Sequence, residues 1–229
     1  MQVCYATMRH QNGFTLIETG IALVIVGLLL GAVFKGQELI NVARARGLIA
    51  SSSEITTAYF AFRDRYRALP GDYNGASASI PNCGNCENGN NDGQILLAGG
   101  PDESIAVWEH LSKAGFIAGS YAYRAGDPVG AANTPVNPYG SLVQLIYDNA
   151  YQEGGSATGP VRHNLKTGSN IPSNILGEVD RKIDDGKGAE GVFRYSPFGG
   201  TDGGLNSCFY SHAWNSNRPV SNCGAAYLY

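Results

Sequence analysis

Apolar and polar positions divide the chain into a long apolar run near its N-terminus and a mixed remainder. The run extends from Phe14 to Phe34, and Glu18 is the only ionisable side chain within it. A helix needs about 20 consecutive apolar residues to cross the hydrocarbon core of a bilayer. The pattern therefore predicts a membrane-spanning helix with one carboxylate near its N-terminal end.

Helical periodicity continues beyond the apolar run, but only one face stays apolar. The apolar side chains of this second segment recur at steps of three and four residues, at Ile55, Tyr59, Phe62, Tyr66 and Leu69. Such steps place side chains on one face of a helix. Pro70 and Gly71 then favour termination of the helix. We therefore predict a single stem helix over 14–68, with its apolar stripe packed on a downstream domain.

The remainder, residues 69–229, is predicted to be one globular domain built from short elements. Capping residues and apolar spacing predict helices over 102–115 and 172–186. Runs of β-branched and aromatic residues predict strands over 141–147 and 191–198. The predicted class is α+β: a long N-terminal transmembrane and amphipathic helix packed on an antiparallel β-sheet, with a loop-rich C-terminal part.

Composition and charge narrow the functions that this chain can have. Its 229 residues suit one membrane anchor and one soluble domain, and its net charge of −3 does not indicate nucleic acid as an obligate partner. His110, His163 and His212 follow no metal-binding or catalytic spacing, and the chain contains no Gly-x-Ser-x-Gly motif. We expect His110 on the solvent side of its helix, and we predict that the protein is not an enzyme.

Glu18 creates an electrostatic problem for a membrane helix. A charged side chain costs about 2.5 kcal/mol or more at the bilayer centre and less near its edge. None of the side chains near Glu18 is basic. Cleavage between Gly13 and Phe14 would create an α-amine about one helical turn away, which supplies the missing positive charge. The alternative is an uncleaved signal anchor in which Glu18 has no role.

The motif Gly-Phe-Thr-Leu-Ile-Glu at residues 13–18, before a long apolar helix, resembles the processing site of type IV pilins and type II secretion pseudopilins. The resemblance implies that residues 1–13 are a leader, that a prepilin peptidase cuts after Gly13, and that Phe14 is then methylated. It also implies that Glu18 pairs with the N-terminal amine of a neighbouring subunit, while residues 14–34 form the filament core.

The function implied by the resemblance is that of a structural subunit of a type IV pilus-like filament, serving adhesion, motility or DNA uptake. Its partners would be other pilins, the prepilin peptidase and a pilus or secretion assembly platform. The chain would first cross the bacterial inner membrane once, with its C-terminal domain in the periplasm, and then enter a cell-surface pilus or a periplasmic pseudopilus. A type II secretion pseudopilin and a singly anchored periplasmic binding protein are the alternatives.

The basic residues around the apolar run indicate the opposite topology. Lys35, Arg44 and Arg46 follow the run, whereas Arg9 precedes it. Counted alone, these residues would place the C-terminal side in the cytoplasm. The motif and the cysteines beyond the run predict instead that the domain lies outside, because disulfides persist in oxidising compartments.

Four cysteines remain once the leader, which contains Cys4, is removed: Cys83, Cys86, Cys208 and Cys223. A disulfide between the last two would stabilise the domain by about 3 kcal/mol and would resemble the C-terminal disulfide loop of many type IV pilins. The Cys-Gly-Asn-Cys sequence at 83–86 has three interpretations. They are a local structural disulfide, which we favour, a redox-active dithiol, and part of a four-cysteine zinc site.

Residues 88–95 resemble the first half of an EF-hand calcium loop. The proposed oxygen ligands are Asn88, Asn90, Asp92 and Gln94. Gly99 occupies the position of the usual closing glutamate, and Glu103 lies four residues later as a substitute. With one carboxylate in the half-loop, the pattern predicts either weak calcium binding or a plain glycine and asparagine turn.

Overall fold

The computed structural model describes residues 13–97, 102–156, 158–198 and 205–229. Most of the predicted leader, together with Gly99, lies outside these residues. The chain divides into two compact units, with the boundary between Val42 and Ala43. We predicted that the globular domain would begin after the stem helix, at residue 69. The boundary between the two compact units lies instead within that helix.

Helix α1 spans Leu16–Tyr66 and contains the apolar run. All side chains from Phe14 to Phe34 are exposed, and the helix is long and apolar enough to cross a membrane. Side chains of this kind are stable in a hydrocarbon environment or against other apolar surfaces. The apolar part of α1 is therefore suited to membrane anchoring, in agreement with the apolar pattern.

The amphipathic part of α1 belongs to the C-terminal unit and confirms the predicted stripe. Ile55, Tyr59 and Phe62 are buried, and Tyr66 and Leu69 are half-buried against the same core. The helix ends two residues before the predicted position. The backbone of Arg67 has φ of 55°, which is incompatible with continuation of a right-handed helix.

A four-stranded antiparallel sheet forms the centre of the C-terminal unit. Its strands lie in the order β1 (Gln144–Asp148), β2 (Arg162–Lys166), β6 (Ala225–Leu228) and β3 (Phe193–Tyr195). All neighbouring strands run antiparallel. The predicted strands correspond to β1 and β3, which are shorter than expected, whereas β2 and β6 were not predicted. The α+β class with a long N-terminal helix is confirmed.

The shorter helices and a hairpin complete the fold. Helix α3 covers Glu103–Lys113, and the Asp102 side chain caps it by accepting the Ser104 N–H at 3.0 Å. Helix α4 covers Ser173–Ile183, close to its predicted position. The remaining elements are α2 (Ala76–Ser79), α5 (Leu205–Cys208), β4 (Phe209–Tyr210) and β5 (Ala213–Trp214), the last two forming a hairpin.

The two largest apolar clusters of the C-terminal unit both include residues of α1. In the first, Phe62 of α1 packs with Trp108 of α3 and Leu145 of β1. In the second, Leu48 of α1 packs with Leu176 of α4 and with other side chains around β3 and β5. The amphipathic half of α1 thus contributes to both clusters, which explains why its apolar face is continuous.

One expectation about α3 is wrong. His110 is fully buried instead of lying on the solvent side, and nearly the whole helix is buried with it. The segments that precede and follow α3 cover its outer face. When other segments cover a helix on all sides, the spacing of its apolar residues does not reveal that its polar face is buried as well.

Candidate functional site

The first turn of α1 carries the residues of the predicted processing site. Gly13, Phe14 and Thr15 precede the helix, and Phe14 is 83% exposed. The Thr15 hydroxyl oxygen accepts the backbone N–H of Glu18 at 3.2 Å. Thr15 is therefore the N-cap of α1, which is why the helix begins at Leu16 and not at the predicted Phe14.

Glu18 lies in the first turn of α1, three residues after its N-cap. A carboxylate at this position interacts favourably with the helix macrodipole. Within the described part of the chain, no basic side chain forms an ion pair with Glu18. Lys35, the nearest basic residue along α1, pairs instead with Glu38 at 2.6 Å. The Glu18 carboxylate is thus exposed on the apolar part of α1.

The structure assembles a second group of ionisable residues around the predicted calcium half-loop. Carboxylate oxygens of Asp72, Asp92 and Glu103 lie within 4.8 Å of one another. Asp92 and Glu103 were identified from the sequence, whereas Asp72 was not. Asp72 lies in the turn that follows α1. Because it is 20 residues away from Asp92 in the chain, no short sequence motif could relate the two residues.

The other predicted ligands are arranged differently around this cluster. The Asn88 side chain bonds with Ser77, accepting its backbone N–H at 2.9 Å and donating to its hydroxyl at 3.0 Å. The Asn90 side chain accepts the Asp92 N–H at 2.9 Å and donates to the Asp92 carboxylate at 3.1 Å. Gln94 donates its backbone N–H to Asp92 at 2.8 Å. The polar atoms of the Asn88 side chain are therefore engaged with Ser77, whereas Asn90 contacts the Asp92 carboxylate.

Both buried carboxylates of the cluster already accept backbone hydrogen bonds. Asp72 accepts the N–H groups of Asp92 and Gly93, each at 2.9 Å. Glu103 accepts those of Asn90 at 3.1 Å and Leu96 at 3.2 Å. These bonds hold the loop without an ion, and carboxylate oxygens retain further lone pairs for a hard cation.

Electrostatics within the cluster favours neutralisation of its charge. Burial raises the pKa of Glu103, and the nearby Asp72 and Asp92 carboxylates raise it further. Burial likewise raises the pKa of Asp72. Arg63 and Arg67 border a cavity of about 250 Å³ next to Asp72. A proton, a guanidinium group or a divalent cation could each offset the repulsion among these carboxylates.

The four cysteines form two disulfides, Cys83–Cys86 and Cys208–Cys223. The first closes the turn before the acidic cluster. The second closes a segment that contains the hairpin of β4 and β5, and it joins this segment to the residues just before β6. Both bonds lie in the unit beyond the apolar run, and the side chains of all four cysteines are buried.

Comparison with known proteins bears on the N-terminal region alone. Residues 8–34 match the family model described as the prokaryotic N-terminal methylation motif. The match includes Gly13, Phe14 and Glu18 and covers the first part of α1. Neither the curated proteins nor the solved structures include a match to the chain.

Proposed function

Because the chain carries the signal motif of type IV pilins and pseudopilins, we propose that it is a structural filament subunit made as an inner-membrane precursor. A prepilin peptidase cuts it after Gly13, the new N-terminal Phe14 is methylated, and the mature chain polymerises through α1 into a type IV pilus-like filament. Its role is structural and not catalytic.

The observation that carries this proposal is Glu18, which has no basic partner among the described residues and lies on the exposed apolar part of α1. The cost of a lone carboxylate in a membrane is removed when a cation lies beside it. The α-amine created at Phe14 of a neighbouring subunit is such a cation. Pairing of Glu18 with that amine would set the register between subunits, while burial of the apolar side chains drives the association.

The disulfides support an extracytoplasmic position for the C-terminal unit. Disulfides persist in the periplasm and on cell surfaces, whereas cytosolic thiols are kept reduced. We therefore propose the orientation in which Ala43 and the residues after it lie outside the inner membrane. This orientation places Lys35, Arg44 and Arg46 on the periplasmic side, against the usual charge bias.

The second candidate is a type II secretion pseudopilin. The processing motif is shared by both classes, so it does not distinguish them. The segment closed by Cys208–Cys223 favours the pilus subunit, because it presents an exposed hairpin whose Tyr210 is 70% exposed. Immunogold labelling of intact cells distinguishes the two, since only a pilus subunit gives labelled filaments outside the cell.

Mass spectrometry of the mature chain tests the proposal as a whole. We expect its first residue to be Phe14 with a methylated amine. In a strain without prepilin peptidase, we expect the uncleaved chain to remain in the membrane. Recovery of an unprocessed N-terminus from the peptidase-positive strain would contradict the proposed function.

A further inference from the structure

A single carboxylate connects helix α4 with the C-terminal disulfide segment. Asp180 is fully buried, and its Oδ2 accepts the indole N–H of Trp214 at 2.5 Å. Its Oδ1 accepts the backbone N–H of Gly186 at 3.1 Å. Trp214 forms part of β5, inside the segment closed by Cys208–Cys223. The bond therefore joins α4 to the disulfide segment, in which Trp214 is buried while residues 210–213 at the hairpin tip are exposed.

Two glycines shape the slot that holds the Trp214 ring. A Cβ atom added at Gly177 of α4 would lie 3.1 Å from Trp214 Cβ. One added at Gly188 would lie 2.9 Å from Trp214 Cε2. Both distances are shorter than normal van der Waals contact, so a side chain at either position would require Trp214 to shift. The slot fixes the direction of the indole N–H towards Asp180.

Asp180 has acidic neighbours and no basic partner among the described residues. Asp184 and Asp185 each place an oxygen within 4.8 Å of the Asp180 carboxylate group. Asp184 also accepts the backbone N–H groups of Val192 and Phe193, so it is held in place.

The other charged groups on the surrounding elements leave the Asp180 charge uncompensated. Lys182 pairs with Glu178 at 2.6 Å, and Lys187 pairs with Glu190 at 2.8 Å. Arg194 pairs with Glu153. Arg181 of α4 and His212 of the hairpin tip are exposed to solvent.

These surroundings disfavour the ionised form of Asp180 while Trp214 is docked. Burial raises the pKa of Asp180 to about 6, and the Asp185 and Asp184 charges add to the effect, although the Trp214 and Gly186 hydrogen bonds oppose it. If the hairpin moved away, water would reach the carboxylate and the loss of burial would lower the pKa of Asp180, while the loss of the weaker Trp214 bond would act in the opposite direction. The docked state therefore binds the proton more tightly than the open state.

We propose that Asp180 and Trp214 form a pH-sensitive latch, which fastens the C-terminal disulfide segment to α4 more tightly in mild acid than at neutral pH. Docking is strongest below about pH 4, and it weakens as the pH rises to about 6 and Asp180 ionises. The proposal stands independently of filament assembly.

Acrylamide quenching of tryptophan fluorescence in the full-length chain, held in mild detergent, tests the latch. The chain has two tryptophans, and the Trp214→Phe variant isolates the contribution of the fully buried Trp108. We expect the quenching constant of Trp214 to be larger at about pH 7.5 than at about pH 4.5, because the open state is more populated once Asp180 is ionised.

Two substitutions separate the latch from general effects of pH. In Asp180→Asn the amide still accepts the indole N–H but does not titrate, so quenching of Trp214 should be equal at both pH values. In Asp127→Asn, which alters an exposed acid outside this cluster, the pH dependence should remain. Circular dichroism establishes that the variants are folded. Hydrogen exchange of the β4–β5 hairpin, corrected for intrinsic rates, repeats the comparison without a fluorophore.

Two results would overturn the proposal: quenching of Trp214 that does not depend on pH in the unmodified chain, or an unchanged pH dependence of quenching in Asp180→Asn.

Discussion

His110 accepts the backbone N–H of Gly71 through Nδ1 at 2.9 Å, and this contact joins α3 to the turn that follows the stem helix. The opposite ring nitrogen, Nε2, lies 2.8 Å from the carbonyl oxygen of Glu87. Nδ1 is therefore the acceptor and Nε2 carries the proton, so the ring is neutral. Gly71 has φ of 89°, and a Cβ there would lie 2.4 Å from the Glu103 carbonyl oxygen, which restricts the position to glycine.

The neutral His110 predicts a loss of stability in mild acid. Burial lowers the pKa of His110 to about 4, whereas an unfolded histidine titrates near 6.5. The stabilising contribution is thus present above about pH 6.5 and is lost as the pH falls towards 4, amounting to about 3 kcal/mol. Denaturant unfolding of the full-length chain in detergent, measured across this range, checks the prediction.

The variant His110→Gln isolates this contribution from other titrating groups. Glutamine lacks the proton equilibrium, so the variant should be less stable than the unmodified chain at neutral pH but nearly equal to it at about pH 4. Asp180 acts in the opposite direction between about pH 4 and 6, and it affects both proteins equally. A stability difference that does not change with pH would contradict the neutral assignment of His110.

Glu18→Ala should abolish filament formation without preventing membrane insertion. Removal of the carboxylate lowers the cost of residence in the bilayer and also removes the proposed partner of the neighbouring amine. Glu38→Ala is the matched control, because Glu38 is an exposed acid on the same helix that already pairs with Lys35. Sheared-filament yield and membrane fractionation provide the two measurements. Normal filament yield from Glu18→Ala would refute the proposed role of the carboxylate in subunit register.

Calcium should raise the melting temperature of the full-length chain in detergent. An ion bound between Asp92, Asp72 and Glu103 would stabilise the native state by mass action. We expect a dissociation constant of about 0.1 to 1 mM, the range of extracellular calcium modules. Asp92→Ala should remove the shift and leave the chain folded, while Asp127→Ala, an exposed acid elsewhere in a turn, should leave it intact. If millimolar calcium does not move the melting curve, the backbone hydrogen bonds alone hold the loop.

Lys166→Met should destabilise the C-terminal unit by about 3 kcal/mol, because it breaks a buried ion pair and leaves one partner without compensation. Lys166 is fully buried, and its Nζ lies 2.9 Å from Asp148 Oδ1 and 2.7 Å from the Ala150 carbonyl oxygen. Lys187→Met removes an exposed pair with Glu190 and should change the free energy of unfolding by less than about 1 kcal/mol. Equal effects of the two substitutions in denaturant titrations would show that the buried pair adds no stability.

The elements that were correctly predicted depend on neighbouring residues in the chain. The apolar run needs only a sufficient number of consecutive apolar residues, and the stripe through Ile55, Tyr59 and Phe62 needs only helical periodicity. The start of α3 was likewise visible, because Asp102 caps it through an N–H two residues away. Such interactions involve only residues close together in the chain, so they can be predicted without knowledge of the tertiary structure.

The features that were missed depend on partners far away in the sequence. Strand β2 reads Arg-His-Asn-Leu-Lys, which is not a typical strand sequence, yet Asn164 and Lys166 are fully buried. Asp148 of β1 compensates for the burial of these groups by bonding with both side chains, at 2.9 Å in each case. The polar residues Asn164 and Lys166 can therefore be buried only when β2 is paired with β1, which the sequence of β2 alone does not reveal.

The sequence by itself determined the membrane segment, the processing motif and the α+β class, since each is expressed in local spacing. Tertiary structure alone decided that Asp72 joins Asp92 and Glu103, that His110 is neutral and buried, and that Asp180 meets Trp214. The physical reason is that burial and the approach of distant charges set the state of an ionisable group, and neither is encoded by its neighbours in the chain.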